Sequence, residues 1–143
     1  MTLESIPDYS GFPGGSTGPI YNEAAFKYFL DVDRARLRRS QRSIVLVLAS
    51  IRRQAGRAVH LTDASAVPLL EGLTGSVREV DFVGWYRQNS VAGAVLPQAG
   101  VAADHERRLI SSRITASLQK SLPRDVAAHL HLRVVCLGGK APR

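Results

Sequence analysis

The chain has 143 residues, a length that suits one domain. Hydrophobic residues make up 45% of it and charged residues 22%, which is the balance of a globular protein and excludes an intrinsically disordered chain. The formal net charge of +7 excludes a strongly acidic domain, although charge alone identifies no partner.

The sequence predicts a cytoplasmic protein. No apolar run reaches the roughly 18 residues that a membrane-spanning helix needs. The first ten residues, MTLESIPDYS, lack the apolar core of a signal peptide. Cys136 is the single cysteine, so an internal disulfide is excluded and a reducing compartment is favoured.

The N-terminal part predicts a tail followed by a helix. Residues 1–20 contain the run GFPGGSTGP and no hydrophobic periodicity, which is typical of a linker or a docked tail. A helical pattern starts at Tyr21, with Asn22 as the predicted N-cap. Its apolar residues recur at helical spacing: Phe26, Phe29, Leu30 and Leu37.

A basic cluster covers the end of this helix and the segment beyond the next strand. Between Lys27 and Arg57 it contains nine basic residues: Lys27, Arg34, Arg36, Arg38, Arg39, Arg42, Arg52, Arg53 and Arg57. Such a cluster could attract nucleic acid, anionic lipid or a phosphorylated ligand. The other interpretation is a solvated helix face followed by a polar loop.

The middle of the chain predicts a strand, a helix and a hairpin. Residues 43–51, SIVLVLASI, form a continuous apolar run of the length of a buried central strand. Thr62 or Asp63 is expected to cap a second helix that holds Pro68 in its first turn. Two strand-like runs follow, at 81–87 and 90–98, with a hairpin turn near Gln88 and Asn89.

The C-terminal part predicts a helix and a last strand. Apolar residues recur four apart in residues 103–122, and Pro123 ends this third helix. Residues 129–137 alternate, which indicates a half-buried strand that turns Cys136 toward the core.

These elements predict an α+β fold: an N-terminal helix, then β-α-β-β-α-β, with two helices on one face of an antiparallel sheet. This is the ferredoxin-like plan. The predicted boundaries are a tail at 1–20, a domain at 21–138 and a short tail at 139–143.

Four segments in this order resemble the GGDEF family of diguanylate cyclases over about residues 17–137. They are YNEAAF (21–26), RARLRRSQRSIVLVL (34–48), REVDFVGWY (78–86) and SVAGAVLPQ (90–98). The resemblance implies the nucleotide-cyclase version of the ferredoxin-like fold. Degenerate members of this kind resemble domains found with bacterial exopolysaccharide or envelope machinery.

The departures from the family predict a domain that is not an enzyme. Residues 87–91 read RQNSV where the GGDEF signature is expected. Residues 48–51 read LASI where the family places a metal-binding aspartate, and the lysine-containing phosphate loop has become IRRQ (51–54). Cyclisation needs Mg²⁺ held by carboxylates. We therefore expect no catalytic residues, no metal and no cofactor.

One ligand site of the family matches the sequence. Arg78 and Asp81 have the RxxD form, five residues before the degenerate signature, which is the spacing of the inhibitory site for cyclic di-GMP. An arginine can donate to guanine O6 and N7, and a carboxylate can accept from the Watson–Crick edge. Trp85 and Arg87 are expected to add stacking or a phosphate contact. The alternative is a surface Arg–Asp pair that helps to turn the helix into the strand.

Three other functions share features with this sequence. His129 and His131 alternate on one strand, but no third metal ligand stands at a suitable spacing. An RNA-recognition motif shares this element order but needs aromatic residues on its central strands, which SIVLVLASI and SVAGAVLPQ lack, so nucleic acid is not expected as a partner. The alternative to a cyclic di-GMP receptor is a protein-interaction module that docks through the basic helix end or an exposed Trp85–Tyr86 segment.

Overall fold

The computed structural model describes residues 20–53, 56–78, 81–98 and 104–138. The predicted tails therefore lie, apart from Ile20, outside the described residues, as do Gln54 and Ala103. The elements in chain order are β1 (Ile20–Tyr21), α1 (Glu23–Leu37), β2 (Ser43–Ile51), α2 (Asp63–Thr74), β3 (Phe82–Arg87), β4 (Val91–Gln98), α3 (Asp104–Ser121), α4 (Arg124–Ala127) and β5 (Leu130–Gly138).

The strands form one five-stranded sheet in the order β1-β3-β4-β2-β5. The α+β class and the β-α-β-β-α-β order are confirmed. The expectation of a purely antiparallel sheet is wrong, because β1 pairs parallel with β3 through Ile20↔Val83 and Tyr21↔Gly84, which makes the sheet mixed. The other three pairings, β2 with β4, β2 with β5 and β3 with β4, are antiparallel.

Strand β2 is buried on both faces, which explains its continuous apolar run. Successive side chains of a strand point to opposite faces, so the strand contributes to two cores. One core lies under α2 and α3 and receives Val45, Val47, Ala49 and Ile51. The other lies under α1 and receives Ile44 and Leu46. Alternate residues of β5, including Cys136, pack against the first core, as the sequence predicts.

Helices α2 and α3 pack side by side on one face, as the sequence also predicts. The Ser117 hydroxyl donates to the Gly72 carbonyl oxygen at 2.9 Å, and the Ser121 hydroxyl donates to the Pro68 carbonyl oxygen at 2.6 Å. A Cβ on Gly72 would lie 2.7 Å from Leu118 Cδ2, so the glycine permits this close approach.

The expected position of Pro68 is wrong: it is the sixth residue of α2, in the second turn. An internal proline removes one hydrogen bond and costs about 3 kcal/mol. Leu69, Leu70 and Leu73 are fully buried around it, and each such side chain contributes about 1.5–3 kcal/mol. Burial of these leucines therefore outweighs the cost of the proline.

Helix α1 covers the opposite face of the sheet. Asn22 caps it, since its Oδ1 accepts a hydrogen bond from the Ala25 backbone N–H at 2.9 Å. Phe26 is fully buried and lies over Gly84 and Gly93, which are cross-strand partners in β3 and β4. A Cβ on either glycine would come within 2.9 Å of the Phe26 ring. The two glycines therefore allow α1 to pack closely against the sheet.

The path of α1 leaves one corner of the sheet uncovered. The helix begins beside the β3–β4 turn, where the Glu23 backbone N–H donates to Gln88 Oε1 at 2.9 Å. It ends against β5, where Leu37 lies over Gly138. Because α1 crosses the sheet obliquely, none of the described helices lies above the part of β2 and β5 nearest the β3–β4 turn on this face.

Among the described helices, none combines the length and apolar character needed to cross a membrane.

The packing of the Phe26 ring against Gly93 predicts how two substitutions affect stability. Gly93→Ala is expected to lower the free energy of unfolding by about 1–3 kcal/mol, because the new methyl group overlaps the ring. In a Phe26→Leu background the same substitution is expected to cost less, since the ring is gone. Urea unfolding of the two single variants and the double variant measures this coupling. If the changes in the free energy of unfolding were strictly additive, the proposed contact between the Phe26 ring and Gly93 would be wrong.

Candidate functional site

The predicted ligand pair, Arg78 and Asp81, forms a closed turn between α2 and β3. Asp81 Oδ2 accepts from the Arg78 backbone N–H at 2.7 Å and from Arg78 Nε at 3.3 Å, and Oδ1 accepts from Nη2 at 3.0 Å. Nη2 also donates to the Pro97 carbonyl oxygen at 2.8 Å. The pair therefore ties the turn before β3 to the end of β4.

The two side chains differ sharply in accessibility. The Asp81 side chain is 0% exposed, whereas the Arg78 side chain is 56% exposed. The carboxylate has no surface open to a ligand in this arrangement, and the guanidinium is the member of the pair that reaches solvent. The geometry matches the surface-pair interpretation and leaves Arg78 available for an additional contact.

Trp85 is not exposed, so the expectation of an exposed Trp85–Tyr86 segment is wrong for the tryptophan. Only 2% of Trp85 is accessible, and it packs in the core under α2 and α3. The period-two pattern of DFVGWYR contains the signal, because Val83 and Trp85 share one face of β3. Tyr86 lies half-buried on the opposite face, with Lys27 Nζ 5.1 Å from its ring centroid.

Arg87 lies far from Arg78. It ends the six-residue strand β3, while Asp81 precedes the same strand. At about 3.3 Å per residue, the five steps of the strand span roughly 17 Å. The structure therefore brings Arg78 and Asp81 together and does not bring Arg87 or Trp85 to them. Arg87 instead lines a cavity with Arg52, Arg57 and Arg133, a grouping that sequence reasoning missed.

Residues 87–91 form the predicted hairpin turn between β3 and β4. Asn89 adopts a positive φ of 62°, a conformation that asparagine tolerates, and the Ser90 backbone N–H donates to the Arg87 carbonyl oxygen at 3.0 Å. Gln88 and Glu23 exchange hydrogen bonds, since the Gln88 backbone N–H also donates to Glu23 Oε1 at 2.7 Å. This turn therefore anchors the start of α1.

Electrostatics at this anchor favour the ionised carboxylate. The hydrogen bond from the Gln88 backbone holds the pKa of Glu23 below its usual value, with a further contribution from the Lys27 ammonium. Lys27 Nζ lies 3.1 Å from Glu23 Oε2. Glu23 thus acts as a charged link between α1 and the hairpin.

Among the residues that the structure describes, no three or more of histidine, cysteine, aspartate and glutamate stand together as a metal site would require. His129 precedes β5 and His131 lies within it, and both are exposed.

Comparison of the sequence with protein-family models gave no match. Comparison with curated protein sequences also gave none.

The Arg78–Asp81 geometry predicts a structural cost for losing the arginine. Arg78→Ala is expected to lower the free energy of unfolding by about 1–3 kcal/mol, because a buried carboxylate loses its charged donors. The control is Arg36→Ala, whose ion pair with Asp33 is long at 3.8 Å and whose side chain is 78% exposed. Its effect is expected to stay within about 0.5 kcal/mol. If the two variants lost the same free energy of unfolding in urea, a structural role for the Arg78–Asp81 pair would be contradicted.

The lowered pKa of Glu23 predicts an acid-dependent loss of stability. Its stabilising contribution is present above the unfolded pKa, near the usual value of 4.5, and is lost as pH falls through the lower folded pKa. Glu23→Gln removes this titration. The difference in Tm between wild type and variant is therefore expected to shrink between pH 7 and pH 3, as thermal unfolding would measure. If the difference in Tm did not change with pH, the ionised Glu23 carboxylate would not be what stabilises the contact between α1 and the hairpin.

Proposed function

We propose that this chain is a non-catalytic regulatory domain of the GGDEF type, with the nucleotide-cyclase version of its fold, acting in the bacterial cytoplasm. Of the four resembling segments, YNEAAF contains the capped start of α1, the arginine-rich segment leads into β2, Arg78 and Asp81 precede β3, and SVAGAVLPQ contains β4. Their order and placement support the proposal.

The absence of cyclase activity is part of the proposal. Residues 48–51 at the end of β2 and residues 87–91 at the β3–β4 turn contain no carboxylate. Mg²⁺ prefers oxygen ligands, chiefly carboxylates, and a cyclase needs it to polarise the triphosphate. Ser50 and the arginines nearby supply no equivalent anionic ligands.

The ligand we propose is cyclic di-GMP, recognised by Arg78. The observation that carries this is the fixed but exposed guanidinium: Nε and Nη2 donate to Asp81, Nη2 also donates to Pro97, and the side chain is 56% exposed. Nη1 has no hydrogen-bond partner within the part of the chain that the structure describes, so its two N–H groups can reach guanine or phosphate oxygens.

In this proposal Asp81 is a positioning residue. Its buried carboxylate holds the planar guanidinium in one orientation, so less side-chain entropy is lost when a ligand binds.

Titration calorimetry tests the proposal. Wild type is expected to bind cyclic di-GMP at low micromolar concentration, with GTP giving no heat. Arg78→Lys keeps the charge but loses the planar fork, so we expect affinity to fall at least about tenfold. The matched control Arg36→Lys, on an exposed helix face, is expected to bind as wild type does.

Circular dichroism on each variant separates lost binding from lost structure. If neither nucleotide gives heat with a folded protein, the receptor proposal is wrong.

A second candidate, a protein-interaction module, is favoured by one observation. The basic end of α1 and the segment after it expose five arginines: Arg34, Arg36, Arg38, Arg39 and Arg42. Such a surface suits an acidic protein partner, in exopolysaccharide or envelope machinery if the resemblance holds. Trp85 is unavailable to that partner because it lies in the core.

A further inference from the structure

Strand β5 forms a long edge of the sheet. In the order β1-β3-β4-β2-β5 it pairs only with β2 among the described strands, and this pairing runs without a bulge from Leu130 to Gly138. Proteins usually protect an edge with a short strand, a proline, a bulge or charged side chains. The opposite edge strand, β1, has only two residues. β5 has one arginine, Arg133, and none of the other features, so its free side can accept another strand.

The free backbone groups of β5 belong to its even-numbered residues. The Arg52 backbone N–H donates to the His129 carbonyl oxygen at 2.9 Å, so this carbonyl group points toward β2. Successive residues of an antiparallel ladder direct their backbone groups alternately toward the partner strand and away from it. The residues that direct N–H and C=O groups to the free edge are therefore Leu130, Leu132, Val134 and Cys136.

Apolar side chains along this edge are only partly covered. Six apolar residues of β5 are half-buried, whereas all but one of the residues of neighbouring β2 are buried. Leu132 and Val134 line an open groove of about 270 Å³ beside α3. A strand added at the edge would cover more of this surface and satisfy the free backbone groups. The six residues are Leu130, Leu132, Val134 and Cys136 on the α2–α3 face, and Val135 and Leu137 on the α1 face.

The pattern of β5 is complementary to itself. Val134 is the middle residue of the strand. When two copies run antiparallel about a two-fold axis at Val134, the even-numbered residues lie opposite one another, so backbone donors meet acceptors. On the α2–α3 face, Leu132 then lies opposite the partner's Cys136. On the other face, Arg133 lies opposite the partner's Val135, so the two arginines are not directly paired.

The antiparallel arrangement also separates the most basic surfaces of the two copies. Arg34 and Arg38 lie beside Gly138, at one end of β5. In the antiparallel pair this end of one copy meets the Leu130 end of the other. The two Gly138 residues are then about 27 Å apart, at about 3.4 Å for each of the intervening steps. This exceeds the Debye length of about 8 Å at physiological ionic strength, so repulsion between the two basic ends is screened.

We propose that β5 is a homodimer interface, at which two copies of this chain join edge to edge and antiparallel to form one continuous sheet. A second copy fits the edge because the pattern of β5 repeats about its own midpoint. The inference is independent of the proposed function, since Arg78 contacts the end of β4, which is separated from β5 by β2.

Sedimentation equilibrium of the full chain tests the interface. We expect a dimer of twice the 15.5 kDa chain mass. One strand pair is a small interface, so its dissociation constant is expected on the order of 10 μM. Val134→Lys places two ammonium groups opposite each other at the axis and is expected to weaken the dimer at least about tenfold. The matched control is His131→Lys, at an exposed residue of the same strand away from the axis. It is expected to stay within about threefold of wild type.

Cysteine cross-linking tests the register independently. In a Cys136→Ser background, Val134→Cys is expected to form an intermolecular disulfide on oxidation with copper phenanthroline. Directly opposite residues of a hydrogen-bonded pair have Cα atoms about 5.5 Å apart, which a disulfide can span. His131→Cys in the same background is expected to stay largely monomeric on a non-reducing gel, because its two copies lie roughly 20 Å apart.

Three results would overturn the proposal. They are a full chain that stays monomeric well above the expected dissociation constant, the same dissociation constant for the two lysine variants, and equal cross-linking at the two cysteine positions. Circular dichroism shows whether each variant is folded. If Val134→Lys does not fold, the sedimentation of wild type and the cross-linking pair decide.

Discussion

The contact of Phe26 with the Gly84–Gly93 pair is the constraint on which the arrangement of this domain depends. A strand residue with a side chain at either position would hold the helix away, because its Cβ would overlap the ring. The paired glycines let α1 approach the sheet closely, and the Phe82 and Tyr86 rings surround the same side chain. Burial of Phe26 thus fixes where the helix crosses the sheet.

The crossing determines which parts of the sheet remain accessible. Glu23 and Gln88 fix the start of α1, and the contact of Leu37 with Gly138 fixes its end. Within the described part of the chain, the corner formed by β2 and β5 is therefore left open. The β3–β4 turn serves the scaffold: Gln88 binds the helix start, and the Asn89 carbonyl oxygen accepts from the Leu61 backbone N–H at 2.7 Å. Arg87 lines the open corner.

Local patterns predicted most of the fold, and non-local pairings explain what they missed. The apolar run of β2 and the Asn22 cap are each determined within a few residues. Strand β1 has two residues, too few to show periodicity, and exists only because β3 offers a parallel edge. The position of Pro68 depends on leucine burial against α3. For the sites, the RxxD spacing predicted the Arg78–Asp81 pair, but not which partner is exposed. The four arginines of the cavity come from β3, from β5 and from the short segment after β2, and the sheet register brings these three parts together.

The distribution of charge separates the structural from the accessible basic residues. Two carboxylates stabilise turns of the fold through hydrogen bonds. Asp81 binds Arg78 before β3, and Glu23 joins α1 to the β3–β4 hairpin. Neither lines the cavity. An arginine with a carboxylate partner loses much of its attraction for an added anion, whereas one without a partner keeps it. Within the described residues, the arginines at the open corner have no such partner, whereas Asp81 holds the Arg78 guanidinium in one orientation.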